Sequence, residues 1–209
     1  VTLLLPRIYP ITDSTICSLS HAEQVELLLA GGATFIQLRE KKDAAREFFD
    51  DAKRAMRLAH EAGATIVIND RVDVAMALGA RGVHLGQTDM PVVAARELLG
   101  QSAIIGYSTH NLDQVKAALH LPIDYLALGP IFATSSKRNP DPVVGLEQLR
   151  IAKSIVGKLP LVAIGGIDET TLPEVLSAGA DSVAMISKIL SVPDSIAGNL
   201  KKLLDASKK

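Results

Sequence analysis

Eight short apolar runs punctuate the chain: RIYPITD, ATFIQLRE, TIVIND, GVHLG, AIIGYS, DYLALGP, LPLVAIGG and DSVAMIS. Segments of helical periodicity separate them, and no other feature narrows the fold as much. A strand that is apolar along its whole length is covered on both faces, which is the condition of a parallel sheet flanked by helices. The intervening segments read as helices over His21–Gly31, Ala44–Ala62, Val72–Leu78, Pro91–Leu99, Leu112–Leu119, Gly145–Val156, Thr170–Ala178 and Pro193–Leu204. In the second of these Phe48, Ala52, Ala55, Met56 and Ala59 recur at the spacing of one helix face. Glycine follows several of them, in Ala30-Gly31-Gly32-Ala33, Ala62-Gly63-Ala64, Gly79-Ala80 and Ala178-Gly179-Ala180. A left-handed glycine there ends a helix before the next strand. Strand and helix in eightfold alternation predict a single-domain (β/α)8 TIM barrel over residues 1–209. An open doubly wound sheet is the alternative, but RIYPITDST lacks the glycine-rich nucleotide loop expected after its first strand.

Composition limits the partners. Hydrophobic residues make up 48% of the chain but aromatics only 3%, so the core is built from Val, Ile, Leu and Ala. A net charge of -1 and the lack of aromatic stacking platforms argue against nucleic acid. No apolar run approaches the ~20 residues of a membrane span. The opening VTLLLPRIYP is too short, and lacks the charged leader, for a signal peptide. The lone Cys17 excludes a disulfide framework within the chain and a Cys-rich metal site, and fits a cytoplasmic protein.

A barrel of this class carries its chemistry at the C-terminal ends of its strands. Polar residues collect there in seven of the eight runs: Gln37, Arg39 and Lys41; Asn69 and Asp70; His84, Gln87 and Asp89; Ser108 and His110; Thr134, Ser135, Ser136 and Lys137; Gly165 and Gly166; and Ser187. Asp70 and Asp89 suit Mg²⁺, which needs only one or two carboxylates plus substrate phosphates. Arg39, Lys41 and Lys137 suit a polyphosphate, and together the two sets describe a pyrophosphate site. Aspartate is also a favoured helix N-cap, so Asp70 and Asp89 have a second reading as caps of the helices that follow them. Gly165-Gly166 and a helix start after the eighth strand have the form of a phosphate site, with a tight turn as the alternative. His84, inside an apolar run, reads as a hydrogen-bonded core residue rather than a base, His110 as a cap of the following helix, and Cys17 as inert.

Seven motifs in order resemble the thiamine-phosphate synthase family over nearly the whole chain: QLREK at Gln37–Lys41, IND at Ile68–Asp70, GVHLGQTD at Gly82–Asp89, GYSTH at Gly106–His110, GPIFATSSK at Gly129–Lys137, AIGGI at Ala163–Ile167 and AMIS at Ala184–Ser187. The resemblance implies a (β/α)8 barrel that uses Mg²⁺ to join an aminopyrimidine diphosphate to a thiazole phosphate, with release of pyrophosphate. It implies that Arg39, Lys41, Gln37 and Asn69 bind the pyrimidine diphosphate and that Asp70 and Asp89 hold Mg²⁺. Ser108 would lie near the pyrimidine and the leaving group, and Lys137 would neutralise pyrophosphate, so these two are the catalytic candidates. Thr134, Ser136, Gly166, Ile186 and Ser187 would hold the thiazole phosphate. It also implies a homodimer and small phosphorylated substrates as partners.

The residue types suit that chemistry. The thiazole nitrogen carries no proton to remove, so no general base is needed, and the protein's task is to stabilise the leaving group and align the partners. A thiazole tautomerase-like relative, a sugar-phosphate epimerase and a non-catalytic phosphate-binding regulatory barrel are the rival readings. The first tends to lose the diphosphate and metal residues that this chain keeps, the second needs an acid/base pair that is not evident, and the third needs no metal carboxylates.

Overall fold

The computed structural model describes residues 3–41, 45–134 and 141–208. Eight parallel strands close on themselves in sequence order: β1 (Ile8–Asp13), β2 (Phe35–Arg39), β3 (Thr65–Asn69), β4 (Gly82–Leu85), β5 (Ile104–Thr109), β6 (Tyr125–Leu128), β7 (Leu161–Ile164) and β8 (Ser182–Met185). The last pairs with the first through Ile8↔Val183, Tyr9↔Ala184 and Pro10↔Met185. The (β/α)8 barrel is therefore the fold, and each expected apolar run coincides with one strand, β5 extending one residue past its run.

Helices α1 (His21–Ala30), α2 (Ala45–Glu61), α3 (Val72–Leu78), α4 (Val92–Leu99), α5 (Leu112–Ala118), α6 (Gly145–Val156) and α7 (Leu172–Ser177) connect the strands. After β8 come a short α8 (Ser187–Leu190), a 3₁₀ turn and α9 (Ile196–Ala206). The bounds lie within two residues of those expected, apart from the 3₁₀ turn that opens the last segment. Gly63, Gly79 and Gly179 do have positive φ, of 71°, 64° and 108°. Gly31 does not: at φ -79° it continues the right-handed turn, and Gly32, at φ 98°, makes the reversal.

Alternation along each strand separates two cores. Ile36, Leu38, Ile66, Ile68, Val83, Leu85, Leu126 and Leu128 face outward into the layer between sheet and helices. Tyr9, Ile11, Phe35, Val67, Tyr125, Ala127, Val162 and Ala184 fill the inside of the barrel. The inner set carries three of the chain's seven phenylalanine and tyrosine rings, with Tyr9 edge-on to Phe35 at 4.9 Å between centroids. Its small members on β6, β7 and β8 leave room above the rings, and a cavity opens there.

Candidate active site

A cavity of about 510 Å³ occupies the C-terminal mouth of the barrel and receives residues from all eight strands or the loops that leave them. Eleven of the thirteen residues to which the resemblance gives a role line it: Gln37, Arg39, Lys41, Asn69, Asp70, Asp89, Ser108, Thr134, Gly166, Ile186 and Ser187. Ser136 and Lys137 lie outside the described residues.

On one side of the mouth are the cations. Arg39, at the end of β2, is ion-paired with Asp13, a nearly inaccessible carboxylate at the end of β1. That pairing holds the guanidinium at the rim and is a contact that sequence reading missed. Lys41 Nζ lies 2.5 Å from Asp70 Oδ2. Asp70 itself has φ 61°, and in the described chain it is the only residue other than glycine with positive φ. A left-handed conformation costs a non-glycine residue of order 1 kcal/mol, least for Asn and Asp, and here it turns the carboxylate into the mouth.

Asp70 and Asp89 are neighbours. Burial raises the Asp89 pKa, the adjacent Asp70 carboxyl group raises it further, and the Gly86 N–H and Lys41 oppose the shift. The capping alternative does not hold for either aspartate. Asp89 Oδ2 accepts from Gly86 N–H at 2.6 Å, while α4 is entered through Pro91 and α3 through Arg71, neither helix having a side-chain cap. Among the described residues no group of three or more His, Cys, Asp or Glu side chains is placed to hold a metal. A pair of adjacent carboxylates facing a cavity nevertheless fits Mg²⁺, which takes one or two carboxylates and completes its oxygen shell with water and substrate phosphates.

Across the mouth, Gly165 and Gly166 follow β7 with φ of 100° and 66°. A β-carbon on Gly166 would lie 2.4 Å from the Ala133 carbonyl oxygen, and one on Gly165 would lie 2.5 Å from Pro130 Cβ. Only glycine permits this turn, so close to the segment after β6. Ser187 opens α8 beside it, and Lys188, which sequence reading passed over, also lines the cavity, 3.7 Å from Asp168 Oδ2.

The floor is polar and continuous. Gln37 Nε2 donates to the Tyr9 hydroxyl at 2.7 Å, and the Tyr9 and Tyr125 hydroxyls are 2.8 Å apart. The Tyr125 hydroxyl lies 2.9 Å from His84 Nδ1, and His84 Nε2 lies 2.8 Å from Ser108 Oγ. Burial holds the His84 pKa down to about 4, against an opposing pull from Asp89. It also raises both tyrosines well above their ordinary range. His84 is thus the hydrogen-bonded core residue expected. His110 is not the cap expected: Asn111 caps α5 through Gln114 N–H, and His110 Nδ1 instead meets the Gly129 carbonyl at 2.8 Å. Tyr9 and Tyr125 carried no signal in the sequence, because each sits within an apolar run like any core ring.

Comparison with known proteins agrees with this geometry. A family model described as thiamine monophosphate synthase matches residues 8–189. A thiamine-phosphate synthase of Koribacter versatilis is 44% identical over 97% of both chains. One from Vibrio parahaemolyticus is 41% identical over 95% of this chain and 98% of its own. Among solved structures, a thiamine phosphate pyrophosphorylase from Pyrococcus furiosus superimposes with a TM-score of 0.86 at 36% identity, covering 97% of this chain and 95% of that one. No helix among the described residues is long and apolar enough to cross a membrane. With motifs, barrel and relatives coinciding over most of its length, the chain belongs to the thiamine monophosphate synthase family.

Proposed function

We propose that this protein joins 4-amino-2-methyl-5-hydroxymethylpyrimidine diphosphate to hydroxyethylthiazole phosphate, yielding thiamine phosphate and pyrophosphate. The observation that carries the reading is that one cavity holds cations, a carboxylate pair and a glycine turn suited to phosphate, each on different strand ends. Such a set binds two phosphorylated ligands side by side.

The step is a dissociative substitution. The bond between the pyrimidine methylene carbon and the diphosphate oxygen breaks, and the electron pair leaves with pyrophosphate. The amino-substituted ring stabilises the positive charge left on that carbon. The thiazole nitrogen then gives its lone pair to the same carbon, and no proton moves. Arg39 and Lys41 bind the diphosphate with Asn69 and Gln37, and Asp13 keeps Arg39 in position. Ser108 lies beside the pyrimidine and the leaving group. Lys137 neutralises pyrophosphate, and Thr134, Ser136, Gly166, Ile186 and Ser187 receive the thiazole phosphate, Lys137 and Ser136 being assigned by resemblance alone. Asp70 and Asp89 would hold Mg²⁺, which when bound adds positive charge at the diphosphate. His84 takes no part as a base: it is neutral near pH 7 and both ring nitrogens are engaged.

Residues 1–209 act as one catalytic domain, as a homodimer in the cytoplasm. The test is an assay with both substrates that follows thiamine phosphate and pyrophosphate. Product should form with Mg²⁺, vanish with EDTA and return when Mg²⁺ is restored. A folded protein that binds the thiazole phosphate and yields no product would overturn the reading in favour of a tautomerase-like or regulatory barrel.

A further inference from the structure

The polar chain across the cavity floor has a direction that can be worked out bond by bond. An amide nitrogen donates and cannot accept, so Gln37 Nε2, at 2.7 Å, gives a proton to the Tyr9 oxygen. Tyr9 has one proton of its own, and its other hydroxyl neighbour is Tyr125, at 2.8 Å. Were Tyr9 to point that proton back at Gln37, donor would face donor at a position only 1% exposed. Tyr9 therefore donates to Tyr125. Tyr125 gives its proton to His84 Nδ1, at 2.9 Å. A neutral imidazole with a bare Nδ1 carries its proton on Nε2, and that proton is given to Ser108 Oγ, at 2.8 Å.

We propose that this chain runs one way, from Gln37 through Tyr9, Tyr125 and His84 to Ser108, and that it keeps the Ser108 hydroxyl proton free to donate into the cavity. The inference rests on the reading above, in which Ser108 lies beside the departing diphosphate. A hydroxyl whose proton turned inward to His84 would offer only lone pairs to an anion and would repel it. One whose oxygen already accepts from His84 offers its proton to the charge that develops as the bond breaks. Tyr9, Tyr125 and His84 are positioning residues in this scheme, acting through Ser108. The site also pins Ser108 from behind, since its carbonyl accepts from Gln87 Nε2 at 2.6 Å. The geometry is built for the contact between ring and ring: His84 stacks on Tyr125 at 28° between planes, over Gly106, where a β-carbon would lie 2.5 Å from His84 Nδ1.

The experiment is nitrogen NMR on substrate-free protein labelled with ¹⁵N-histidine. The His84 signals are assigned by their loss in His84→Asn. A single neutral tautomer with the proton on Nε2 is expected, and a proton on Nδ1 would overturn the inference. Tyr125→Phe should let both tautomers coexist and should lower kcat roughly tenfold or more, with the KM for the thiazole phosphate unchanged. A Tyr125→Phe protein that kept both the Nε2 proton and full kcat would defeat the positioning role. If that variant does not fold, Tyr9→Phe carries the same readouts. The tautomer is read without turnover, so the two failures separate. Absence of product with an Nε2 proton sinks the proposed reaction, whereas product with an Nδ1 proton sinks the chain's direction alone.

Discussion

Gly106 shows how tightly single residues constrain the floor of the site. A β-carbon there would lie 2.0 Å from Tyr125 Cζ, so Gly106→Ala should cost about 1–3 kcal/mol as an overpacking change. It should also lower kcat by parting the two rings. Urea unfolding, with kcat measured on the same preparations, checks both effects, and a variant with full stability would show that the rings have room to move. Legibility at this scale divides by kind of contact. Arg39, Lys41, Asn69 and Asp70 could be found in the sequence because each interrupts or follows an apolar run at the end where a barrel keeps its chemistry. Tyr9 and Tyr125 could not. They are 116 positions apart, and their pairing exists only because β1 and β6 face each other across the closed interior. Asp13 escaped for a related reason: its partner Arg39 is a neighbour in the sheet, through the register Asp13↔Arg39, and not in the chain.

Elements were more legible than contacts between them. Uninterrupted apolar runs gave the strands, and the shortness of the stretch between TIVIND and GVHLG allowed only a short helix there, observed as the seven residues of α3. Helix entry was the weak point. Aspartate before a helix is an ambiguous signal, because a carboxylate can cap backbone N–H groups or turn away toward a ligand. Asp70 and Asp89 line the cavity and cap neither helix, while Asp168, not singled out, does the local work before α7. It accepts from the Thr170 hydroxyl at 2.7 Å and from the backbone of Thr170 and Thr171 at 3.0 and 3.2 Å. The Thr170 hydroxyl most of all, opposed by burial and helped by the Thr171 and Thr170 N–H groups, lowers its pKa from 3.8 to about 2. A carboxylate lowered in this way stabilises the fold above its unfolded pKa, and the contribution disappears as pH falls through about 2. Partial exposure and screening reduce the effect to about 1 kcal/mol. Asp168→Asn, which resembles the protonated side chain, should therefore lose about that much at pH 7 and match the parent near pH 2. Urea midpoints at the two pH values test it, and an equal deficit at both would mean that the charge is not what matters.

For the molecule as a whole, the two ends of the barrel have different duties. At the end away from the cavity the same device occurs twice. Asp124, just before β6, donates its N–H to the Ile105 carbonyl and accepts from the Ile105 N–H through its side chain, both at 2.8 Å. Asp181, just before β8, does the same with Leu161, again at 2.8 Å. Each carboxylate also meets a cation from the helix before the preceding strand, Arg96 of α4 for Asp124 and Lys153 of α6 for Asp181. Arg96 is buried and spends its remaining donors on the carbonyls of Gly100, Ala103 and Pro122. Because a buried cation would lose its partner, Asp124→Asn should cost about 1–3 kcal/mol while leaving kcat of the folded protein unchanged. Thermal unfolding followed by an assay below the transition separates the two quantities, and a fall in kcat would mean that the ends are coupled. This division was open to sequence reasoning only as an expectation of the fold class, since neither aspartate stands out from its neighbours in the chain.

The paired rings under the cavity have an optical consequence. The chain has three tyrosines and no tryptophan, and two of the three are joined at the floor of the site: Tyr9 lines the cavity, and Tyr125, fully buried behind it, meets the Tyr9 hydroxyl. One tyrosine chromophore therefore lines the reaction chamber and a second is hydrogen-bonded directly behind it, and with no indole to mask them, a ligand's arrival can be followed in the near ultraviolet with no added label.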